Sequence, residues 1–335
     1  MNGVVRSIAG DGSNALVEIE CHTSNSLPNI VIVGSTNRAV DEAKERIRGA
    51  FANSNLSLPR KRITINLAPA DIPKTDSSFD LAIALSILLA GGQIKPQPLS
   101  QAIVLGELGL DGSVRPVRGI IGRILAAREK GFDSFIIPSG NIAQAQLVPR
   151  IHIEPTESLL AYYQTATGIK AGTTINTHGG IVVQQENPHR TTETLDDIVG
   201  QDLAKRALVV AAAGGHNILL NGPPGTGKSM LAKTLPALMP RLSQEKMLQV
   251  THLHSLTADS SEAPQLERPF RSPHHSASPA AVLGGGAAMR PGEVSLSHHG
   301  VLFLDEFPEF NRLIIEALRQ PLEDHTITIA RFAKA

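Results

Sequence analysis

A glycine-rich run in the second half of the chain restricts its possible folds more than any other feature. Residues 217–229 read NILLNGPPGTGKS, an apolar stretch followed by a turn and the start of a helical pattern. Gly222, Gly227, Lys228 and Ser229 have the spacing of a phosphate-binding loop between a strand and a helix. Glycines let successive backbone N–H groups converge on phosphate oxygens, and the helix start adds partial positive charge. The pattern predicts a nucleoside triphosphate site in an α/β domain.

The same run predicts the residues that hold ATP and Mg²⁺. Lys228 is expected to reach the β- and γ-phosphates, and Ser229 to bind the metal. The other predicted phosphate-binding residues are those of the turn itself: Gly222, Pro223, Pro224, Gly225, Thr226 and Gly227. The alternative is an ordinary Gly-Pro turn, which the spacing and the flanking strand and helix patterns disfavour.

Two acids follow an apolar stretch further along the chain. Residues 300–306 read GVLFLDE. A buried parallel strand would carry these acids to its C-terminal end, beside the phosphate-binding loop, where open α/β sheets bind ligands. There Asp305 would complete the Mg²⁺ site, and Glu306 would be the catalytic residue that orients or deprotonates the attacking water. The alternative is a strand end followed by solvated acids.

These motifs, together with LDDIVGQ at residues 195–201, resemble those of AAA+ ATPases. Residues 269–306 narrow the resemblance to the magnesium-chelatase-like branch and, within it, to the ComM/YifB family. The resemblance covers essentially the whole chain. It implies that Ile198, Val199 and Gly200 lie against the adenine base.

The resemblance also implies a function. An intact family member would be a homo-hexameric, ATP-driven helicase that promotes branch migration on branched or single-stranded DNA during natural transformation. The alternatives are a magnesium-chelatase-type ATPase, a regulatory or chaperone-like ATPase, and a truncated product without function. Because the family continues into a sensor-1 strand, an arginine finger and a helical lid, we expect a truncated chain that binds ATP–Mg²⁺ weakly and hardly hydrolyses it. Turnover on the order of 1 s⁻¹ would contradict that expectation.

The chain divides into three predicted segments. Residues 1–168 alternate short β-branched runs with amphipathic helices, which indicates an α+β domain. By resemblance, this domain has the ribosomal S5 domain 2-like fold shared with the Lon protease domain. Residues 169–192 are polar and lack apolar periodicity, which predicts a linker. Residues 193–335 form the predicted AAA+ P-loop domain, which the resemblance marks as incomplete.

Hydrophobic periodicity and turn residues place the main elements. Thr36 is expected to cap the first helix. In the first domain we predict strands at 30–33, 63–67, 103–106 and 135–138, and helices at 37–54, 79–90, 117–130 and 157–165. In the second we predict helices at 200–213, 228–238 and 311–319, strands at 216–220 and 301–304, a long irregular stretch between residues 239 and 300, and, by resemblance, a hairpin over 322–330.

A possible Ser–Lys dyad in the first domain is predicted to be broken. By resemblance, Ser78 falls where Lon proteases place the serine nucleophile. The matching downstream segment offers Arg123 where the lysine would stand, and a guanidinium does not lose its proton to act as a base. Ser78 also precedes an apolar helix, so a helix cap explains it without chemistry.

Two basic clusters and two histidine pairs are weaker candidates. The cluster Lys44/Arg46/Arg48 is interpreted as a solvated helix face, with Arg46 pairing with Glu42; Arg60/Lys61/Arg62 precedes a strand and could contact phosphate. His274-His275 and His298-His299 suggest a metal only weakly, because adjacent histidines on an extended chain point to opposite faces. Gly284–Gly286 is either a flexible connector or the hinge of a loop.

Composition excludes several classes of protein. Lys plus Arg and Asp plus Glu both number 31, so overall charge favours neither nucleic acid nor membrane. The single cysteine excludes an intramolecular disulfide framework. The longest apolar run, Leu81 to Ala90, is much shorter than the roughly 20 residues that span a bilayer. Without a signal-peptide pattern, these features predict a soluble, cytoplasmic protein, and the few aromatic residues disfavour base-stacking surfaces.

Overall fold

A computed structural model of the chain describes residues 2–10, 14–33, 38–70, 77–97, 99–177, 194–257, 263–286 and 290–328. The chain separates into two units, Met1–Ile181 and Val182–Ala335. Both helices and strands occur in each unit, so the protein is of mixed α/β class.

A mixed sheet forms the framework of the first unit. The strands of this unit are β1 (Asn2–Ile8), β2 (Leu16–Ser24), β3 (Asn29–Val33), β4 (Arg62–Ala68), β5 (Ala102–Val104), β6 (Glu107–Leu108), β7 (Val114–Arg115), β8 (Ser134–Pro138), β9 (His152–Thr156) and β10 (Ile175–Asn176). Eight of them, within the described ranges, form one sheet in the order β10-β9-β8-β5-β1-β2-β4-β3, and β6 pairs with β7 separately. The pairs β1/β2, β2/β4 and β9/β10 are antiparallel, and the other neighbours are parallel.

The core of this unit lies between the sheet and a fully buried helix. The helices are α1 (Arg38–Asn53), α2 (Asp80–Ala90), α3 (Ile120–Glu129), α4 (Ile142–Ala145) and α5 (Leu159–Ala166). Every residue of α2 is buried, which explains the longest apolar run in the sequence. Gly3 lets α2 approach β1 closely, since a Cβ at this position would lie 2.6 Å from the carbonyl oxygen of Ser86.

Alternation along the strands follows the predicted pattern. In β4 the side chains of Ile63, Ile65 and Leu67 are buried, while the residues between them are partly exposed. This arrangement confirms the strand predicted at 63–67, because successive side chains of a strand point to opposite faces. The strand at 30–33 and the helices at 37–54 and 79–90 are also confirmed to within a few residues.

Some predictions for the first unit need correction. The helix predicted from residue 117 begins only at Ile120, because Gly119 before it adopts a left-handed φ of 66°. The segment predicted to be a linker from residue 169 includes β10, whose backbone pairs with the edge strand β9. The rest of that segment from residue 178, and the proposed cap Thr36, lie outside the described residues.

Ser78 does not cap α2 as predicted. The residue before the helix is Phe79, and Ser78 lies in a short 3-10 turn over Ser77–Phe79. Arg123 donates one hydrogen bond to Ser78 Oγ at 2.5 Å and another to the backbone oxygen of Ile8 at 3.1 Å. The fold therefore brings together the two residues that the resemblance compares with a Ser–Lys dyad, and both are buried.

Arg46 is not part of a solvated helix face. Its Nε and Nη2 atoms donate to Asp80 at 2.6 and 3.1 Å, and the Asp80 side chain is only 2% exposed. The predicted contact with Glu42 is longer, at 3.9 Å. Burial raises the pKa of Asp80 to about 6, although the hydrogen bonds from Arg46 favour its ionised form. This ion pair joins α1 to the start of α2.

The second unit contains short strands and mostly short helices. Its elements are α6 (Asp202–Gly214), α7 (Lys228–Leu238), α8 (Gln244–Ser255), β11 (Phe270–Arg271), α9 (Pro279–Leu283), β12 (Gly284–Gly285), β13 (Arg290–Pro291), α10 (Glu293–Leu296), β14 (Val301–Leu302), α11 (Arg312–Ala317) and α12 (Arg319–Glu323). β11 and β14 pair in parallel, and β12 and β13 form an antiparallel pair. Within the described ranges, each helix of the protein is too short or too polar to span a bilayer.

Several elements of this unit differ from the sequence predictions. Residues 216–220 do not form a strand, because none of the described residues offers them a partner strand. The stretch predicted to be irregular contains α8, α9 and α10, and the helix predicted at 311–319 divides into α11 and α12. The start of the predicted 322–330 hairpin belongs to α12 instead.

The glycine stretch at residues 284–286 has a definite structure. Gly284 and Gly285 form β12, and they pair with Pro291 and Arg290 of β13. A Cβ on Gly292 would lie 2.2 Å from the backbone nitrogen of Gly284, so these two backbone segments touch. The stretch is therefore one side of a small hairpin rather than a plain connector.

Candidate nucleotide-binding site

The glycine-rich loop leads directly into α7, as its spacing predicts. Gly225 and Gly227 have φ values of 79° and 83°, which glycine adopts without the cost that a side chain would add. Gly227 is the residue before α7, and Lys228 and Ser229 are its first two residues. The loop thus places backbone N–H groups and the positive end of an eleven-residue helix beside one another.

Lys228 lies against the loop that precedes it. Its Nζ atom donates to the backbone oxygens of Gly222 at 2.9 Å and Pro223 at 2.7 Å. The hydroxyl of Thr226 also donates to the Pro223 oxygen, at 3.0 Å. A phosphate oxygen carries negative charge and is a stronger acceptor for an ammonium than a neutral carbonyl. The lysine is therefore held at the loop by contacts that a phosphate can replace.

Ser229 and Asp305 form the second part of the site. The Ser229 hydroxyl donates to Asp305 Oδ2 at 3.2 Å, although the two residues are 76 positions apart in the sequence. The other carboxylate oxygen, Oδ1, accepts the backbone N–H of Glu306 at 3.0 Å. A hydroxyl and a carboxylate oxygen at this separation suit a hard cation such as Mg²⁺. Among the described residues, no group of three or more His, Cys, Asp or Glu side chains could hold a metal by itself.

The neighbouring carboxylate, Glu306, contacts a different part of the unit. Its Oε2 atom lies 3.3 Å from Nδ1 of His275. Arg271 of β11 pairs with Leu302 of β14, and His275 and Glu306 each lie four positions beyond that pair. Glu306 has a left-handed φ of 53°. The parallel strands thus bring both side chains to the same edge. His275 is a contact that the sequence reasoning missed.

The segment compared with an adenine-binding element lies beside the loop. Gln201 donates from Nε2 to the backbone oxygen of Thr226 at 3.3 Å, which ties the segment to the loop. Ile198 is buried in a small core with α6 and α7, whereas the side chain of Val199 is 96% exposed. Gly200 adopts a left-handed φ of 71°. The Val199 side chain is therefore exposed, whereas Ile198 anchors the segment in the core. The contact of these residues with a base stays a prediction.

A cleft of about 2060 Å³ lies between the glycine-rich loop and the acids at 305–306, and residues 198–201 do not line it. One wall is formed by residues 217–229, and another by residues 300–306. The walls are apolar along both predicted strand segments and become polar where they reach Lys228 and Asp305. Lys228, Ser229 and Asp305 therefore lie together where the apolar walls become polar.

Both histidine pairs depart from the expectation for an extended chain. The ring centroids of His274 and His275 are 4.1 Å apart, and those of His298 and His299 are 3.8 Å apart. In each pair the chain bends, since His275 lies in a turn and His299 has a φ of 57°. The prediction that neighbouring rings point to opposite faces was therefore wrong.

His299 is expected to make the second unit sensitive to acid. Burial, followed by the nearby charges of His298, Lys246 and Arg268, lowers the pKa of His299 to about 4. An unfolded histidine titrates near pH 6.5. As pH falls from about 6.5 to about 4, the unfolded chain takes up a proton that folded His299 does not accept, so the free energy of unfolding decreases.

This pH dependence can be measured with a single substitution. Asparagine tolerates a left-handed φ, so His299→Asn should retain the backbone. The thermal midpoint of the variant should fall less between pH 7 and pH 4.5 than that of the wild type. His216→Asn, which changes an exposed histidine of the same unit, is the control. If the thermal midpoints of the wild type, His299→Asn and His216→Asn fall by the same amount between pH 7 and pH 4.5, the expectation is contradicted.

Comparisons with known proteins agree with the motifs. Residues 194–335 match the family model described as magnesium chelatase, subunit ChlI, and residues 19–141 match a second model, subunit ChlI of Mg-chelatase. Competence protein ComM of Haemophilus influenzae is 44% identical over 333 residues, which cover 98% of this chain and 64% of that protein. The chain belongs to the ComM/YifB family. The uncharacterized protein YifB of Salmonella typhimurium is 42% identical over 333 residues, which again cover 98% of this chain and 64% of that protein.

The coverage of these relatives is partial. This ComM/YifB chain spans about 64% of the length of ComM and of YifB. A shorter match, 34% identical over 102 residues, relates 30% of the chain to 22% of the DNA repair protein RadA of Mycolicibacterium smegmatis. Both ends of the candidate site, the glycine-rich loop and the acids at 305–306, fall inside the matched magnesium-chelatase region.

Proposed function

We propose that this ComM/YifB chain binds Mg·ATP in the cleft of its second unit and forms part of an ATP-driven motor that acts on DNA. The observation that carries the proposal is the 3.2 Å contact between Ser229 and Asp305 beside Lys228. Family membership and the names of the competence and DNA repair relatives support the choice of DNA as the partner. The homo-hexamer and the branched or single-stranded form of the DNA follow from the family resemblance.

The residues of the candidate site have distinct roles in this proposal. Lys228 binds the β- and γ-phosphates, and the loop N–H groups bind the remaining oxygens. Ser229 and Asp305 hold Mg²⁺, which would neutralise phosphate charge. Val199 lies against the base. Glu306 is the catalytic residue that orients or deprotonates the attacking water.

A magnesium-chelatase-type ATPase is the second candidate, because both matching family models carry that description. The two candidates differ in what stimulates ATP hydrolysis. In the full-length family member, four-way-junction or forked DNA should raise the ATPase rate, whereas a porphyrin should leave it unchanged. If the porphyrin raises the ATPase rate and DNA does not, the chelatase-type ATPase would replace the DNA-directed motor as the assignment.

The first unit is proposed to be a Lon-like scaffold without peptidase activity. By resemblance, Arg123 stands where the lysine would be, and it contacts Ser78 directly. A guanidinium does not lose its proton to act as a base. The contact with Ile8 gives this arginine a structural role, because it joins α3 to the end of β1.

His275 is expected to report the state of the nucleotide site. It contacts Glu306 but does not line the cleft, so it holds this carboxylate at the margin. If Glu306 turns to a water beside the γ-phosphate, the contact is lost. A non-hydrolysable ATP analogue with Mg²⁺ should therefore shift the side-chain ¹⁵N resonance of His275, and Glu306→Gln should abolish that response.

The adjacent histidine is a matched control for this experiment. Nδ1 of His274 accepts the backbone N–H of Ser276 at 3.2 Å and lies 2.8 Å from the Ser276 hydroxyl, within the same turn. Its resonance should change little on addition of the analogue. Equal shifts for both histidines would indicate a general movement of the turn rather than release of Glu306.

A further inference from the structure

Three loops meet at one end of the sheet in the first unit. Arg62, at the start of β4, pairs with Ser24 at the end of β2 and with Asn29 at the start of β3. The loop that leads to β4 also contacts the segment after α2, since Gln93 Nε2 donates to the backbone oxygen of Ser57 at 2.8 Å. Residues 24–29, 57–62 and 91–97 therefore form one continuous surface, which we call the loop patch.

The loop patch carries positive charge without acidic residues. Arg60, Lys61, Arg62 and Lys95 are all exposed, and the three loops contain no Asp or Glu. Within the described part of the chain, none of the four cations forms an ion pair. By contrast, Arg48 on the same unit pairs with Glu45 at 2.8 Å. In a chain whose charges balance, this surface is a local concentration of unneutralised cations.

The chemistry of the loop patch fits a phosphate backbone. Guanidinium groups match phosphate oxygens in a two-pronged geometry, and lysines add point charges. The three loops contain no aromatic residue, so they offer no surface on which bases could stack. Contact would be with the backbone alone, without sequence preference and with a strong dependence on salt.

We propose that the loop patch binds the phosphate backbone of DNA. The proposal rests on the proposed DNA-directed function and assigns part of the DNA contact to the first unit. It predicts that the patch contributes to DNA binding whether or not ATP occupies the second unit. An anionic membrane is the competing partner, because Leu27 within the patch is also exposed.

The test compares two triple variants of equal charge change. The first combines Arg60→Ala, Lys61→Ala and Arg62→Ala. The control combines Arg48→Ala, Lys130→Ala and Lys170→Ala, which remove exposed cations elsewhere on the unit. Fluorescence anisotropy with labelled single-stranded and duplex DNA, over a series of salt concentrations, measures the affinity and its salt slope.

The loop-patch variant should bind DNA about 10-fold more weakly than the control near 0.1 M salt, with a salt slope smaller by about 2 to 3. A variant with lysine at positions 60 and 62, which keeps Lys61, should recover most of the DNA affinity that the triple alanine variant loses. The difference between the two triple variants should be the same with and without a non-hydrolysable ATP analogue and Mg²⁺, because the loop patch belongs to the first unit.

Each contrary outcome has a separate meaning. Equal DNA affinity in the loop-patch and control variants would overturn the proposal that the loop patch binds DNA, but it would not affect the proposed function. Absence of DNA binding by the wild type would overturn the proposed function itself. Loss of binding to vesicles that contain phosphatidylserine, with DNA binding unchanged, would assign the patch to a membrane and overturn the proposal.

Discussion

Replacing Lys228 with alanine is expected to weaken Mg·ATP binding by about 100-fold or more, which corresponds to about 2.7 kcal/mol. The variant loses the ammonium that lies against the loop oxygens of Gly222 and Pro223, and with it the cation that the β- and γ-phosphates would contact. Isothermal titration calorimetry with a non-hydrolysable analogue and Mg²⁺ measures this loss without dependence on turnover.

Lys233→Ala is the matched control for this measurement. Lys233 lies on the same helix, α7, and is exposed, so both variants remove one lysine from one element. The affinity of the Lys233→Ala variant for the Mg²⁺-bound analogue should remain within a factor of about two of the wild type, since an exposed, distant charge is screened. Similar affinities for the two variants would contradict the assignment of the cleft to ATP.

Replacing Asp80 with alanine is expected to destabilise the first unit by about 3 kcal/mol at pH 7.5. The substitution leaves the partly buried guanidinium of Arg46 without its main partner, and breaking a buried ion pair in this way costs about 3 to 5 kcal/mol. The lower value applies because the Arg46 side chain is 19% exposed. The same ion pair holds α1 against the start of α2, so its loss affects the centre of the unit.

Tyrosine fluorescence can follow the first unit alone. The chain has no tryptophan and two tyrosines, Tyr162 and Tyr163, both on α5. A urea titration monitored by tyrosine emission therefore reports the free energy of unfolding of this unit. Arg48→Ala is the control, because its exposed pair with Glu45 should contribute less than about 1 kcal/mol. A loss below 1 kcal/mol for Asp80→Ala would show that the ion pair is not important for stability.

Local patterns predicted the parts of the site that depend on neighbouring residues. The glycine spacing placed the start of α7 at Lys228, where the structure has it. We also predicted that Asp305 would lie close to the loop, and its contact with Ser229 agrees. The strand predicted at 301–304 to carry it there is only Val301–Leu302, however, and it pairs with β11 rather than with residues 216–220. The start of α7 thus follows from residue type and spacing, whereas the strand pairing that we expected behind the Asp305 contact is not formed.

Contacts between distant segments could not be predicted in this way. Asp80 and Arg46 are 34 positions apart, and neither position differs in pattern from an ordinary charged residue near a helix start or on a helix face. His275 meets Glu306 only through the register of β11 and β14. Residues 216–220 show the opposite case: their apolar pattern favours a strand, but a strand also needs a neighbour for its backbone groups.

The position of Lys228 has a consequence for the kinetics of the site. Because its ammonium bonds to the backbone oxygens of Gly222 and Pro223, the loop is held in shape by its own groups. When a triphosphate binds, the Lys228 ammonium exchanges backbone oxygens for phosphate oxygens. The loop does not have to become ordered first. We expect a fast association step, with the lifetime of the bound state setting the affinity.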